Sequence, residues 1–181
     1  MEQEQLRRFE RILLGKAVPM GLIAGSDRER IWERHVLDSV AATTAFTRED
    51  RDAVDLGSGA GLPGIALAIE LPGVRFVLAE SRARRVGFLE YAVAELELEN
   101  VSVHHGRAEA LPHGAFDVAT ARAFAPPLRS WAAAEPLLRP AGRLVYFSGG
   151  PFDADLGSDP PAIRELPVLD SSRTLVIMSR R

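Results

Sequence analysis

The stretch that most constrains the fold of this chain is a glycine-rich turn at residues 57–64, which contains four glycines. It follows the apolar segment 53–56, which has the composition of a short buried strand. It leads into the mostly apolar segment 62–70, which predicts a helix opened by Pro63. Glycine lets the backbone turn sharply and lets a ligand approach closely. A strand, a glycine turn and a helix N-terminus in this order predict a nucleotide-binding architecture.

The residues around this turn distinguish between two classes of cofactor. Residues 59–64 fit the Gly-x-Gly-x-x-Gly dinucleotide fingerprint, which is a weak signal by itself. Asp55, two residues before Gly57, places a carboxylate beside the turn, where it would repel a pyrophosphate and attract a cation. S-adenosylmethionine carries a sulfonium and an amino group but no phosphate, so the pattern favours it over NAD. An NAD-dependent reductase stays open, although Lys16 is the only lysine and no Tyr-x-x-x-Lys pair exists.

Composition limits the size and the chemistry of the protein. The chain has 181 residues, 46% of them hydrophobic, and we expect a single domain with an N-terminal helical cap (1–47) and a cofactor-binding α/β core (48–181). The absence of cysteine excludes a thiolate nucleophile and a cysteine zinc site, and we predict no metal site. Because the net charge is −3, a nucleic-acid site would have to be local. No stretch is long enough to cross a membrane, and we expect a cytoplasmic monomer.

Predicted strands and helices alternate along the rest of the chain. Two helices come first: one over 2–14, stopped by Gly15, and one that runs to about Phe46 from a capping box of Ser26 and Glu29. Further elements are predicted as helices over 62–70, after a Ser81 cap and over 128–138, as strands over 53–56, 74–79, 101–104, 116–120 and 143–147, and as a hairpin of 162–168 with 174–178, after a loop from Ser148 to Pro161. This order predicts a mostly parallel, doubly wound α/β sheet with a C-terminal antiparallel hairpin.

Charged residues follow the second predicted strand. Glu80 ends it, and an acid there can accept hydrogen bonds from the ribose hydroxyls of the cofactor. Arg82, Arg84 and Arg85 lie in the first turn of the next helix, where cations oppose the helix dipole. Two interpretations stay open: these arginines bind an anionic partner, or they are solvated or paired with Glu80 and Glu90.

Two further places carry candidate functional side chains. His35 and Asp38 lie three residues apart on one helix and could form a catalytic pair, but a histidine that ties the helix to the sheet is favoured. Arg122 and Phe124 follow the fourth strand, where amino-group methyltransferases have an Asn/Asp-Pro-Pro-aromatic sequence. An arginine there suits a carboxylate or a phosphate. Phe124 could stack on a substrate base, but a place in the core is slightly favoured.

Together these segments resemble one known family, the bacterial 16S ribosomal RNA guanine-N7 methyltransferases, called RsmG or glucose-inhibited division protein B. The segment that ends Gly-Leu-Pro-Gly is far more specific than a bare glycine fingerprint. The matching segments are Arg34-His35-Val36-Leu37-Asp38-Ser39, 54–64, Arg84-Arg85-x-x-Phe88-Leu89, Arg107-x-Glu109, Arg122-Ala123-Phe124 and Arg173-x-Leu175-Val176.

The resemblance implies a class I, Rossmann-like methyltransferase that uses S-adenosylmethionine to methylate N7 of a specific guanine in 16S ribosomal RNA or a small-subunit precursor. It implies that Gly57 and Leu62 line the methionine end of the cofactor, that Ala108 and Glu109 hold the adenine, and that Arg122 closes the site. Our own analysis adds Asp55, Gly59, Gly61 and Glu80 as cofactor contacts. The predicted RNA-binding residues are Arg82, Arg84, Arg85, Arg107 and Arg173.

N7 of guanine carries a lone pair and no proton, so the reaction needs no general base. We therefore predict no certain catalytic side chain and take Arg122 as the candidate for positioning. Ser148 replaces a lysine usual in the family, and the following segment is shortened. Two alternatives follow from these departures: a non-catalytic cofactor-binding module that docks on ribosomal RNA, and a methyltransferase with a different acceptor.

Overall fold

Seven strands form one sheet through the centre of the protein. The computed structural model describes residues 2–149, 152, 161–167 and 174–181. The strands are β1 (Asp52–Leu56), β2 (Arg75–Glu80), β3 (Val101–His105), β4 (Phe116–Arg122), β5 (Leu138–Ser148), β6 (Ala162–Pro167) and β7 (Thr174–Ser179).

The strand order is β3-β2-β1-β4-β5-β7-β6, with β1 at the centre of the parallel part. β1 pairs in parallel with β2 and β4, and these pair in parallel with β3 and β5. β7 runs antiparallel to β5, and β6 is the edge strand of the closing hairpin. The predicted fold class is thus confirmed. Because the carboxyl ends of parallel strands share one edge, the residues that follow β1, β2, β3 and β4 are brought together there.

Helices cover both faces of the sheet. The α-helices are α1 (Glu2–Ile12), α2 (Asp38–Ala41), α3 (Gly64–Glu70), α4 (Ala83–Glu95) and α5 (Pro127–Ala134). Alternate β1 residues point to opposite faces, so Ala53 packs in a cluster with α3, whereas Val54 and Leu56 pack with α5. The N-terminal helix α1 and α4 pack with α3 in a further cluster.

The two N-terminal helices differ from their predictions in detail. Gly15 does not stop the first helix, because a π-helical turn continues α1 over Leu13–Ala17. The second is a series of short pieces: 3₁₀ turns over Gly25–Arg30 and Ala42–Ala45, a π turn over Trp32–Leu37, and α2. The predicted capping box is wrong, since residue 24 is the N-cap and no side chain caps the turn.

Three later boundaries also shift. Pro63 is the N-cap of α3, so the helix begins at Gly64. The peptide bond before Pro63 is cis. The preceding turn is closed by the Gly61 N–H, which donates to the Ser58 carbonyl. Ser81 does not cap α4; the N-cap is Arg82, whose N–H donates to the Glu80 carboxylate at 2.9 Å. At the other end of the chain, α5 stops at Ala134 and gives way to a 3₁₀ turn, and β5 begins five residues earlier than predicted.

Two predictions fall outside the described residues: Arg173 with its hairpin connection, and most of the loop over 150–160. Within the described part of the chain, no helix is long and apolar enough to cross a membrane. The same residues contain no group of three or more His, Asp or Glu side chains that could hold a metal ion.

Candidate functional site

A cleft of about 260 Å³ opens at the carboxyl end of β1, between the glycine turn and the helical cap. The helical cap contributes residues from the connection after its first helix, from the 3₁₀ turn over Gly25–Arg30 and from the π turn over Trp32–Leu37. Strand β4 contributes its last residue and the residue that follows the strand. The lining residues are Leu22, Ile23, Ala24, Asp27, His35, Gly57, Ser58, Gly59, Ala60, Leu62, Arg85, Arg122 and Ala123. The structure thus brings Gly57, Gly59, Leu62, Arg85 and Arg122 together in one cleft.

Gly57 forms the floor of the turn, and its conformation requires glycine. Its φ is +66°, and its N–H donates to the Ala79 carbonyl of β2 at 2.9 Å. A β-carbon at this position would lie 2.7 Å from Cδ2 of Phe124. The Phe124 ring therefore rests directly on the Gly57 backbone, and its other contacts are with the buried cluster that includes Val54 and Trp131. This placement agrees with the favoured interpretation of Phe124 as a core residue at the border of the cleft.

Asp55 supports the turn from behind and does not line the cleft. It is 1% exposed, its Oδ1 accepts from the Thr120 hydroxyl at 2.7 Å, and its Oδ2 accepts from the Gly64 N–H at 3.3 Å. The expectation of a carboxylate that faces a cationic cofactor needs correction, because the alternation of β1 turns Asp55 toward α3, on the face where Ala53 packs. Burial raises the pKa of Asp55 to about 6, against the opposing effects of the bonds from Thr120, Ser58 and Gly64 and the charge of Arg122.

Glu80 links the end of β2 to the glycine turn. It is 4% exposed, and its Oε2 accepts from the Gly59 N–H at 3.1 Å and lies 3.5 Å from Nη1 of Arg85. Each carboxylate oxygen has two lone pairs, so Glu80 retains acceptor capacity. Of the three arginines near this helix start, Arg85 is thus paired with Glu80, whereas Arg82 and Arg84 are exposed and form no ion pair within the described residues.

Arg122 connects β4 to the helical cap through both terminal nitrogens of its guanidinium. Nη1 donates to the His35 carbonyl and to the Ser39 hydroxyl, both at 3.1 Å. Nη2 donates to the Arg34 carbonyl at 2.9 Å and contacts Nδ1 of His35 at 2.9 Å. Arginine has no acceptor, so Nδ1 of His35 accepts this bond. Arg122 therefore fixes the cap above the cleft.

His35 continues this chain of hydrogen bonds to Asp27. Since Nδ1 accepts from Arg122, Nε2 carries the proton and donates to Oδ2 of Asp27 at 3.1 Å. The ring nitrogens of His35 thus bond Arg122 on β4 and Asp27 in the cap. The prediction that this histidine ties the helix to the sheet is confirmed by its bond to Arg122.

The remaining predicted residues lie around the cleft. Ala108 is buried and Glu109 is exposed in a 3₁₀ turn after β3, and Arg107 is exposed just before it. Neither Ala108 nor Glu109 lines the cleft described above. They lie beyond β2, since Gly106 N–H donates to the Glu80 carbonyl at 3.0 Å. Gly61 has a φ of +79° and packs against the Ile65 side chain, which shapes the turn from within.

Sequence reasoning missed Asp27 and Ala123. Asp27 was absorbed into the predicted capping box, and only its spacing of eight residues from His35 hints at a contact across two helical turns. Ala123 has a φ of +53°, an uncommon conformation for a residue with a side chain, and lines the cleft beside Arg122. No sequence signal distinguishes it from any other alanine.

The sheet order, the glycine turn at the end of β1 and the acid at the end of β2 define the fold of class I S-adenosylmethionine-dependent methyltransferases. A solved methyltransferase of this class from Aquifex aeolicus is similar, with a TM-score of 0.62 and 18% identity over 88% of this chain and 97% of that one. Residues 2–160 match the family described as rRNA small subunit methyltransferase G, or GidB. The chain belongs to this family.

Individual relatives support the same membership. A ribosomal RNA small subunit methyltransferase G from a Nocardioides strain is 42% identical over 86% of this chain and 62% of its own length. The protein of the same name from Frankia alni is 45% identical over 78% of this chain and 56% of its own length. The chain thus spans about three fifths of the length of these relatives.

Proposed function

We propose that this protein binds S-adenosylmethionine in the cleft and transfers its methyl group to N7 of a specific guanine in 16S ribosomal RNA. The observation that carries the proposal is that the family match extends over all the residues that line the cleft, from Leu22 to Ala123. The relatives are named as methyltransferases of small-subunit ribosomal RNA. We further propose that the chain acts as one domain and as a monomer in the cytoplasm, on the RNA or on a small-subunit precursor.

The residues around the cleft fit the nucleoside part of this cofactor. Glu80 places a carboxylate with free acceptor capacity next to the Gly59 backbone, which suits the ribose hydroxyls of S-adenosylmethionine and of NAD alike, so the preference for S-adenosylmethionine rests on the family match. A Cβ at Gly57 would fill the floor of the turn. We assign cofactor binding to Gly57, Gly59, Gly61, Leu62, Glu80, Ala108, Glu109 and Arg122, with Asp55 as the support that holds the turn on β1 and β4.

The reaction needs little chemistry from the side chains. When bound, S-adenosylmethionine supplies an electrophilic methyl group; the N7 lone pair forms the new C–N bond while the C–S bond breaks and its electrons return to sulfur. No proton has to leave N7 before attack. The task of the protein is therefore to align donor and acceptor, and the bonds of Arg122 to the cap hold the walls of the cleft in one arrangement.

The RNA contacts are proposed from exposure and charge. Arg82, Arg84 and Arg107 are exposed near the carboxyl edge of the sheet, and Arg82 and Arg84 have no acid partner in the described part of the chain. Uncompensated cations beside a cleft attract phosphates, which supports the anion-binding interpretation of this helix start. Arg85 lines the cleft and Arg173 carries the family motif.

Two measurements on the same preparation test the proposal. Calorimetric titration should detect binding of S-adenosylmethionine and no binding of NAD. Labelled methyl should then pass to small-subunit RNA and not to free guanine nucleotides, because isolated nucleotides lack the flanking phosphates. Transfer to a small molecule would indicate a different acceptor. Cofactor binding without any methyl transfer to RNA or to subunits would favour the non-catalytic module.

A further inference from the structure

A second polar groove lies away from the cofactor cleft, between the end of the first helix and α4. Its volume is about 370 Å³, and Arg8, Arg11, Lys16, Tyr91 and Glu95 line it. Three of these side chains are cationic and one is a carboxylate. Neither the cofactor site nor the packing of the core uses this groove.

Two of its cations keep their charge available for an external anion. The Lys16 ammonium lies 4.2 Å from the centroid of the Tyr91 ring and has no ion pair within the described residues. Arg8 donates to the main-chain carbonyl of Glu95 at 2.6 Å, a neutral acceptor. Of the three cations, Arg11 alone pairs with a carboxylate in the part of the chain that the structure describes, that of Glu4 at 3.0 Å. The groove therefore combines an aromatic ring with two cations that have no ion pair within the described residues, beside the single carboxylate of Glu95.

Gly87 leaves a gap between the side chains on the exposed face of α4. It is exposed in the middle of a 13-residue helix, and a β-carbon there would meet nothing within 4 Å. Glycine in a helix interior is unfavourable, and no contact within the described residues requires it here. Arg84 and Tyr91 lie on the same side of the helix, three residues before and four residues after it. The absence of a side chain lets another backbone approach the helix between a cation and an aromatic ring.

This strip, Arg84-Gly87-Tyr91, connects the two sites. Arg85 lines the cofactor cleft at one end of α4, and Tyr91 lines the groove further along it. Arg84 and Tyr91 are seven positions apart, which corresponds to about 10 Å along the helix axis. The strip thus leads directly from the cleft to the groove.

We propose that the single-stranded RNA next to the target guanine lies along this strip and enters the groove. Its sugar–phosphate backbone passes over Gly87, Lys16 and Arg8 bind a phosphate, and Tyr91 contacts the adjoining nucleotide. Alternating cations and aromatic rings are the features by which proteins bind single strands. The inference rests on the proposed function, since it takes RNA as the substrate of the cleft.

Two substitutions separate charge from shape. Lys16→Gln removes a phosphate contact and should lower the salt dependence of RNA affinity, with the slope of log K against log salt smaller by about 0.7. Gly87→Gln should weaken RNA binding about fivefold at unchanged slope, because a side chain then occupies the path of the strand. The matched controls are Arg48→Gln and Gly73→Gln at the amino edge of the sheet, where Arg48 has no ion pair within the described residues and a Cβ on Gly73 meets nothing.

RNA affinity is measured on a fragment of small-subunit RNA at several salt concentrations, with cofactor affinity and thermal stability as checks of the fold. All four variants should bind S-adenosylmethionine like wild type, and the two controls should also bind RNA like wild type. If wild type binds RNA and Lys16→Gln and Gly87→Gln match their controls, the inference is overturned and the proposed function stands. If Lys16→Gln and Gly87→Gln bind the RNA fragment like their controls but bind assembled subunits more weakly, the groove binds a ribosomal protein instead and the inference is overturned. If wild type binds no RNA in any form, both proposals fall.

Discussion

At the scale of single residues, Asp55 is an acid beside the glycine turn whose hydrogen bonds hold the surrounding elements together and do not face the cleft. Its carboxylate is buried and accepts from Thr120 on β4 and Gly64 on α3. It therefore joins three elements at the point where the glycine turn begins. The cost is the burial of a charge, which raises the pKa of Asp55 to about 6.

This raised pKa makes a pH-dependent prediction. The folded-state pKa of Asp55 exceeds its unfolded value, so its contribution to stability is present below the unfolded pKa of 3.8 and is lost as the pH rises through about 6. Relative to Asp55→Asn, the free energy of unfolding of wild type should fall by roughly 2 kcal/mol between about pH 4 and about pH 8. Urea titrations of both proteins across this range measure it. A difference that does not vary with pH would contradict the account.

Gly57 and Gly59 form a matched pair for a second prediction. Both have positive φ, +66° and +57°, but only at Gly57 would a β-carbon collide with Phe124. Gly59→Ala should lower the free energy of unfolding by about 1 kcal/mol through backbone strain alone. Gly57→Ala should cost about 1–3 kcal/mol more, because the Phe124 ring must also move. Denaturant unfolding gives these values, and calorimetry should show weaker cofactor binding for Gly57→Ala.

Truncation of the ring isolates the steric part of this effect. The double change Gly57→Ala with Phe124→Ala should cost less than the sum of the two single changes, since the collision is then absent. Additive effects would show that Phe124 does not rest on the turn.

At the scale of secondary-structure elements, the contact between β4 and the helical cap organises the cleft. Arg122 bonds two main-chain carbonyls, the Ser39 hydroxyl and the His35 ring, and His35 passes the connection to Asp27. The part of the cap that Arg122 contacts, residues 25–45, consists of short 3₁₀, π and α pieces with little regular helix of its own. Its position therefore depends on side-chain bonds more than on helix propensity.

The third prediction follows from this dependence. Arg122→Lys keeps the charge but replaces a planar fork of five donors by a single ammonium, so most of these bonds are lost. We expect the free energy of unfolding to fall by about 2 kcal/mol and the amides of residues 31–45 to exchange faster with solvent. Denaturant unfolding measures the first effect, and hydrogen exchange with mass spectrometry measures the second. Arg129→Lys, on the exposed start of α5, is the control and should leave exchange in the cap unchanged.

The elements also show how far the sequence could predict this site. The alternation of strands and helices and the glycine turn were sufficient for the sheet and for the location of the cleft. The direction of Asp55 was available in principle, since it shares the parity of Ala53 on β1. The bond between Arg122 and His35 joins positions 87 residues apart, and no local pattern encodes it. Asp27 was missed for a different reason: it lies only eight residues from His35, but the pattern Ser-x-x-Glu around it was interpreted as a capping box.

At the scale of the whole molecule, the two edges of the sheet carry different kinds of charge. At the amino edge, two arginines lie in ion pairs, since Arg139 bonds both Asp52 and Asp117 and Arg143 bonds Asp50, although Arg48 has no ion pair within the described residues. At the carboxyl edge, Arg82 and Arg84 have no acid partner among the described residues. Although the net charge is −3, a local positive surface thus lies beside the cleft. The distribution of charge, and not its sum, supports an RNA substrate.

The most direct test of this account is the transfer of labelled methyl from S-adenosylmethionine to small-subunit RNA purified from cells that lack this protein. The product is mapped by cleavage at N7-methylguanine, on naked RNA and on assembled subunits in parallel. We predict label at a single guanine in at least one of the two substrates, and loss of this label with Gly57→Ala. No label on either substrate, from a preparation that binds the cofactor, would contradict the proposed function.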